Sequence, residues 1–441
     1  MDIKSYFDSK KVLDTAVIMA GGQGTRLASI TGPLPKAMVN IRGTSATNNG
    51  KAKDTILEHQ IKLLAENGIT NFVLVVGNKK EYIQNAFTPA AMKEAVPGKD
   101  INVNFFVEQS PLGTGGAFCS KELQQLIGHR DFLFTYSDVL FDVNVQDMFR
   151  FHKEQNADAT VLISPCQDPD DRPLCTFAKG DSEIVGLIPK QGKNDGPRGS
   201  LFTNTPKNGL IILNDSFFDV VPEEPTYLDM EENILMKLIY DSKYNVRGWK
   251  TPCYIKDIGT VDRFHEGVAD LKAGLPALRN PAKNPQSCVV VKESDLLRYD
   301  GGETVSLDEQ VAYAIKTFNN NGIITVLHKD DERLQSYPKE DALIDTLLTR
   351  SGNGSFLNAK VEDTQEFNDL AKEWNVNPDK SFLVDMLESE CLVSPLDGSG
   401  QTISTPSVIS ATTEILHKIS PAQVDGMQTS TAQDTGAGQA Q

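Results

Sequence analysis

The chain has 441 residues, 39% hydrophobic and 23% charged, with 33 Gly and 22 Pro, which excludes collagen-like, wholly disordered and small disulfide-stapled classes and leaves room for one to three domains. Lys and Arg total 43 against 60 Asp and Glu, a formal charge of -17; that field disfavours nucleic acid and anionic membranes, while a few local cations can still hold a small phosphorylated ligand. The six cysteines, at 119, 166, 175, 253, 288 and 391, form no CxxC pair, and with six scattered histidines give no zinc spacing, so buried reduced thiols are expected.

The opening MDIKSYFDSKKVLDTAV lacks the apolar stretch of a signal peptide and no membrane-length apolar run follows, so a cytoplasmic location is expected. From Thr15 to Asp138, TAVIMA, TILEHQIKLLAENGI, NFVLVVG, KKEYIQNAF, VNFFVE and DFLFTYSD alternate short apolar runs with amphipathic ones. This rhythm predicts an α/β domain with a mostly parallel sheet and helices on both faces. VQDMFRFHKEQNA reads as a helix, ATVLISP as a strand, and LCTFAKGDSEIVGLIPK as a hairpin around Gly180 and Asp181. Segments DMEENILMKLI and YIKDIGTVDRFHEGVADLKAG close a first domain over 1–275. PALRNPAKNPQS, 276–287, reads as an extended linker because it carries three prolines and no apolar face. A second, smaller α/β domain follows over 288–396, and the Ser-, Thr- and Gln-rich remainder, 397–441, reads as a disordered tail.

Directly after the first strand stands GGQGTRLASITGPLPKAM. A glycine turn here leaves backbone N–H groups free for phosphate oxygens. A Walker A loop is excluded because no Gly-Lys-Ser/Thr follows, and the dinucleotide fingerprint because Leu27 stands where its third glycine belongs. Arg26 inside the loop and Lys36 ten residues on add two cations. The pattern resembles the sugar-1-phosphate nucleotidylyltransferases over roughly residues 12 to 272, with EQSPLGTGGAF, YSDVLFDVN and YIKDIGTVDRF in the family's order. Within that family it is most similar to D-glycero-D-manno-heptose 1-phosphate and mannose-1-phosphate guanylyltransferases.

The resemblance implies a Rossmann-like nucleotidyltransferase domain with a mostly parallel mixed sheet, acting on a nucleoside triphosphate, GTP first, and a sugar 1-phosphate with magnesium. Arg26, Lys36 and Asp138 become catalytic candidates. Gly21, Gly22, Gly24, Thr25, Glu108, Gly113 and Thr114 become nucleotide-binding candidates, although LGTGGA as a bare sequence is equally a helix start after a tight turn. Asp138 and Asp257 would share the metal, Asp138 at a strand end where open α/β folds place ligands. Lys190, Asn208 and Gly209 would meet the sugar phosphate. Departures fall at Ser137, where the family carries Gly, at Pro189, where it carries Glu, at the strand start Lys207-Asn208-Gly209, and in the polar stretch TSATNNGKAKD before the helix, whose Lys53-Asp54 replaces Lys-Pro.

The second domain resembles a haloacid-dehalogenase-type phosphatase of the heptose bisphosphate kind. That family needs an aspartate nucleophile after its first strand; CVVV is followed by Lys292, Glu293 and Ser294, and a lysine cannot form an aspartyl phosphate. Asp295 is expected to point elsewhere if the strand runs through Lys292, so a scaffold without phosphatase activity is expected. Two readings of the whole chain stand: an enzyme, or a binding or regulatory paralogue that keeps a nucleotide-sugar pocket. Association into homo-oligomers is left open.

Overall fold

A computed structural model describes residues 12–22, 24–42, 53–192, 198–299, 305–330, 339–352, 354–387, 390–398 and 401–419. The chain divides into two compact units. The first takes residues up to Ser164, Pro173–Pro189 and Thr205–Ala277; the second takes Pro165–Arg172, Lys190–Asn204 and the chain from Leu278.

In the first unit the strands are β1 (Thr15–Met19), β2 (Asn71–Val76), β3 (Asn102–Val107), β4 (Phe132–Tyr136), β5 (Val139–Asp142), β6 (Ala159–Ile163), β7 (Leu174–Phe177), β8 (Ile184–Ile188), β9 (Lys207–Leu213), β10 (Val246–Lys250) and β11 (Tyr254–Asp257). Seven build one sheet in the order β10-β6-β9-β4-β1-β2-β3. Neighbours are parallel except at β9, which runs antiparallel to β4 and β6. The mostly parallel mixed α/β sheet expected from the alternating pattern is therefore present. β5 and β11 pair separately, as do β7 and β8, the hairpin expected around Gly180 and Asp181.

Both faces of this sheet are buried, because successive strand residues point to opposite sides. In β1, Ala16 and Ile18 join the core with Leu57, Ile61 and Leu64 of the helix Ile56–Glu66. Val17 and Met19 face the other core, with Phe118, Phe134 and Phe217. Thr55 caps that helix by accepting the Glu58 N–H at 3.2 Å, which fixes the entry after the polar stretch; residues 44–52 of that stretch lie outside the described residues.

The second unit carries β12 (Cys288–Lys292), β13 (Leu297–Tyr299), β14 (Val305–Leu307), β15 (Ile324–His328), β16 (Ala359–Val361), β17 (Phe382–Met386), β18 (Cys391–Pro395) and β19 (Ile403–Thr405). Six form a sheet in the order β16-β15-β12-β17-β18-β19, parallel through β17 and antiparallel beyond. Connections leave β12 first toward β15 and β16 and then back to β17, so the strand order reverses beside β12, where open α/β sheets form a crevice at the carboxyl ends.

Two expectations are corrected here. Segment 276–287 is no extended linker: a helical turn, Leu275–Leu278, runs into its start, the 281–284 stretch is turned, and Gln286 bridges Val376. Asn280 and Gln286 are buried, and the Gln286 amide donates to the Leu278 and Asn284 carbonyls, so side-chain hydrogen bonds fold a stretch that has no apolar face. Nor is 397–441 wholly a tail. The β19 strand and the helix Val408–Ile419 belong to the sheet and its core, with Val408, Ala411, Ile415 and Leu416 buried; the i, i+3, i+7, i+8 spacing of these four outweighs the Ser and Thr around them. Residues 420–441 lie outside the described ones. No helix among the described residues is long and apolar enough to cross a membrane.

Candidate active site

At the carboxyl end of β1 the chain leaves the sheet through Gly21 and Gly22. It turns at Gly24, whose φ is +63°, and winds through one short helical turn, Thr25–Leu27. A β-carbon on Gly24 would meet the Lys36 Cβ at 2.9 Å, and one on Gly21 would meet Glu108 Oε2 at 2.7 Å. The glycines thus let the loop lie directly on the Lys36 stem and on the end of β3, which adds a steric reason to the backbone freedom expected of them. Gly22, Thr25 and Arg26 are exposed along the loop, and Lys36 begins a second helical turn, Lys36–Met38, after the extended Pro35.

Asp138 sits in the tight turn between β4 and β5. The buried Gln60 amide donates to the Tyr136 and Val139 carbonyls at 2.8 and 2.6 Å, Ser137 N–H donates to the Met19 carbonyl at 3.1 Å, and Ile258 N–H to the Asp138 carbonyl at 2.9 Å. That last bond continues the β5–β11 pairing, which sets Asp257 opposite Val139. Lys36 forms an ion pair with Asp138. Asp257 Oδ1 accepts the Gly259 N–H at 2.6 Å, and its other oxygen lies 3.8 Å from the Arg263 guanidinium.

A β-carbon built on the buried Gly259 would stand 2.7 Å from Asp257 Oδ1, 2.9 Å from Lys36 Nζ and 3.3 Å from Arg26 Nη2. One carboxylate, one ammonium and one guanidinium therefore converge on one point, with the second carboxylate, Asp138, on the same ammonium. Among the described residues no trio of His, Cys, Asp or Glu could cage a metal alone. Asp138 and Asp257 are the carboxylates that could hold a hard cation such as magnesium, which would complete its shell with water and substrate phosphate and would take the place of the Lys36 ammonium on Asp138.

Glu108, half-buried, directly follows β3, and burial pushes its carboxyl up to about 7 against an opposing backbone hydrogen bond from Leu112. The LGTGGA loop packs against residues 226–230. Gly115 N–H donates to the Leu228 carbonyl at 2.8 Å, and β-carbons on Gly113 and Gly116 would strike the Leu228 and Thr226 carbonyls at 2.4 Å. Thr114 Oγ1 donates to Asp229 at 3.1 Å and accepts the Met230 N–H at 2.8 Å. Asn208 is buried, its amide donating to the Ser164 and Pro206 carbonyls, while a β-carbon on Gly209 would meet Val139 Cγ2 at 2.6 Å. Lys190 falls in the second unit, at the start of Lys190–Asn204.

One cluster escaped the sequence. Lys207, buried at the start of β9, pairs with Glu231 of the π-helical turn Met230–Leu235 and lies 5.0 Å over the Tyr136 ring, whose hydroxyl donates to Glu231 at 2.9 Å. Burial alone would raise the Glu231 carboxyl; the Lys207 charge and the surrounding hydrogen bonds override it and hold it at about 2. Lys207 stood out only as a departure from the family pattern, and Glu231 carried no signal at all. Gln60 and Gly259 were equally silent, the first reading as one polar residue in a helix, the second as part of KDIGT.

In the second unit, Lys292 ends β12 with its ammonium 2.7 Å from Asp385 at the end of β17. The helical turn Glu293–Leu296 begins directly after the strand and returns Asp295 over β17, where its carboxylate accepts the Met386 N–H at 3.0 Å. Asp295 therefore shares the crevice with Lys292, contrary to the expectation from strand alternation, and burial pushes it up to about 6.

The model of the nucleotidyl transferase family matches residues 15–274. A mannose-1-phosphate guanyltransferase of Schizosaccharomyces pombe is 26% identical over 274 residues, 61% of this chain and 68% of that one. One from Yarrowia lipolytica is 28% identical over 279 residues, 63% of this chain and 68% of its own. The crystal structure of HddC from Yersinia pseudotuberculosis matches 59% of this chain and all of its own at 20% identity, with a TM-score of 0.45.

Proposed function

We propose that this chain, which belongs to the nucleotidyl transferase family, joins a nucleoside triphosphate, GTP first, to a mannose- or heptose-type 1-phosphate and releases pyrophosphate. The observation that carries this reading is the convergence of Arg26, Lys36 and Asp257 on one point, with Asp138 held on Lys36. The names of the yeast relatives point to GTP and mannose 1-phosphate.

A sugar phosphate is already ionised near neutral pH, so its oxygen needs no general base to attack the α-phosphorus of the triphosphate. The new P–O bond forms as the bond from the α-phosphorus to the bridging oxygen breaks, and pyrophosphate departs with that oxygen. The barrier is the approach of two polyanions, which fixed cations and oriented amides lower. Arg26 and the amides around Gly21, Gly22, Gly24 and Thr25 hold the triphosphate and the departing pyrophosphate. Lys36 exchanges its bond to Asp138 for the α-phosphate region. Asp138 and Asp257 would hold magnesium, which when bound screens phosphate charge and polarises the phosphorus. Thr114 and Gly113 shape the nucleotide side, and on the sugar side Gly209 lets the start of β9 lie close against Val139.

The second unit we read as a phosphatase-like scaffold without turnover, because the Lys292 ammonium stands at the end of β12, where a nucleophilic carboxylate would be needed, and is spent on Asp385. With heptose bisphosphate and magnesium it releases no phosphate, and robust release would overturn this reading. For the transferase, the full chain is incubated with magnesium, a panel of triphosphates and sugar 1-phosphates, and pyrophosphate is followed. Turnover with at least one pairing is expected; silence with every pairing alongside retained nucleotide-sugar binding would replace the enzyme with a binding or regulatory protein.

A further inference from the structure

We propose that Gly259 is a positioning residue of the transfer site: its bare α-carbon leaves the gap into which Asp257, Lys36 and Arg26 close, and its N–H aims the Asp257 carboxylate. This deepens the transferase reading and rests on it. Two independent observations support it. The Gly259 N–H donates to Asp257 Oδ1 at 2.6 Å, close to the short end for such bonds, as suits a charged acceptor. A β-carbon there would lie under 3.0 Å from both Asp257 Oδ1 and Lys36 Nζ and 3.3 Å from Arg26. Distances that short do not persist, so with a methyl at 259 the charged groups must give way.

What they give way by decides the consequence. All three contacts are the ends of flexible side chains, not backbone, and Gly259 has no positive φ, so alanine fits the local chain conformation. The fold therefore tolerates the methyl while the charges move by several tenths of an ångström. Misplacement by about 1 Å of groups that touch reacting atoms costs about 100-fold in rate, so a shift of several tenths costs about 10-fold. Disturbing the hydrogen-bonded support of a metal-holding carboxylate costs about 10-fold or more in metal affinity. No such sensitivity attaches to Gly199, where a β-carbon would meet nothing within 4 Å and φ is not positive.

The test compares Gly259→Ala and Gly199→Ala with the parent chain in three readouts: thermal melting, pyrophosphate release, and Mn2+ binding followed by loss of the free-ion paramagnetic signal. Gly259→Ala is expected to melt within about 2 °C of the parent, to lose kcat about 10-fold with KM for the triphosphate changed less than about threefold, and to bind Mn2+ about 10-fold more weakly. Gly199→Ala is expected to match the parent throughout. In a Lys36→Ala background, where the ammonium that faces the methyl is gone, Gly259→Ala is expected to weaken Mn2+ binding less than it does in the parent, a non-additive outcome that contact between the two sites requires. Unchanged kcat and Mn2+ affinity in Gly259→Ala would overturn the proposal, and so would failure to fold, which would mean the methyl meets more than side-chain ends. If the parent chain releases no pyrophosphate, the transferase reading fails while the Mn2+ readout still decides the role of Gly259.

Discussion

Two carboxylates show how far position outweighs residue type in this chain. Glu108 and Glu231 are the same side chain, yet burial raises one to about 7 while Lys207 and its neighbours hold the other at about 2. Glu108 keeps its proton in the folded chain between pH 4.5 and 7 where the unfolded chain has released it, so it costs the fold stability progressively as pH rises through that window. Glu108→Gln is expected to flatten the fall in melting temperature between pH 5 and 8, as seen by calorimetry at half-unit steps; an unchanged slope would contradict the assignment. Glu231 has the opposite sign: its contribution is complete above pH 4.5 and is lost as pH falls toward 2. Glu231→Gln strands the buried Lys207 ammonium and is expected to cost about 3 kcal/mol in denaturant unfolding at pH 7, whereas Lys243→Gln, on a solvent-screened pair with Asp219, is expected to leave the unfolding curve nearly unchanged.

At the scale of elements, the regular α/β part was legible because every strand from β1 to β4 is a short apolar run bounded by polar turns, and the helices between them repeat apolar residues at three and four positions. Arg26, Lys36, Asp138 and Asp257 were legible for a different reason: they stand in short ordered motifs. Asp257 owes its place to the β5–β11 pairing, which joins residues more than a hundred positions apart and leaves no local trace. The Gly113–Gly116 loop illustrates the same limit, since its glycines answer to the Leu228 and Thr226 carbonyls. In the second unit the helix Glu340–Arg350 escaped notice because acidic and Thr residues interrupt its apolar face. The helix Val408–Ile419 was mistaken for tail because Ser and Thr flank the few apolar residues that matter. Ile415, fully buried there, provides the check: Ile415→Ala is expected to destabilise the second unit by about 2–5 kcal/mol, and a change below 0.5 kcal/mol would return the segment to the tail.

On the scale of the whole molecule, the chain carries a formal charge of -17, yet at the carboxyl end of its first sheet it gathers Arg26, Lys36 and Arg263 around two aspartates. A net negative field slows the approach of a triphosphate, and a local excess of cations reverses that within a few ångströms, inside the screening length of physiological salt. The central claim is that two anionic reactants are brought together by these cations and by a metal shared between Asp138 and Asp257. The most direct test is the magnesium dependence of pyrophosphate release by the parent chain, by Asp138→Asn and by Asp257→Asn, with melting measured on all three. The account predicts magnesium-dependent release by the parent and a loss of at least about 100-fold in each variant with melting little changed. Release at the parent's rate by either asparagine variant would contradict it.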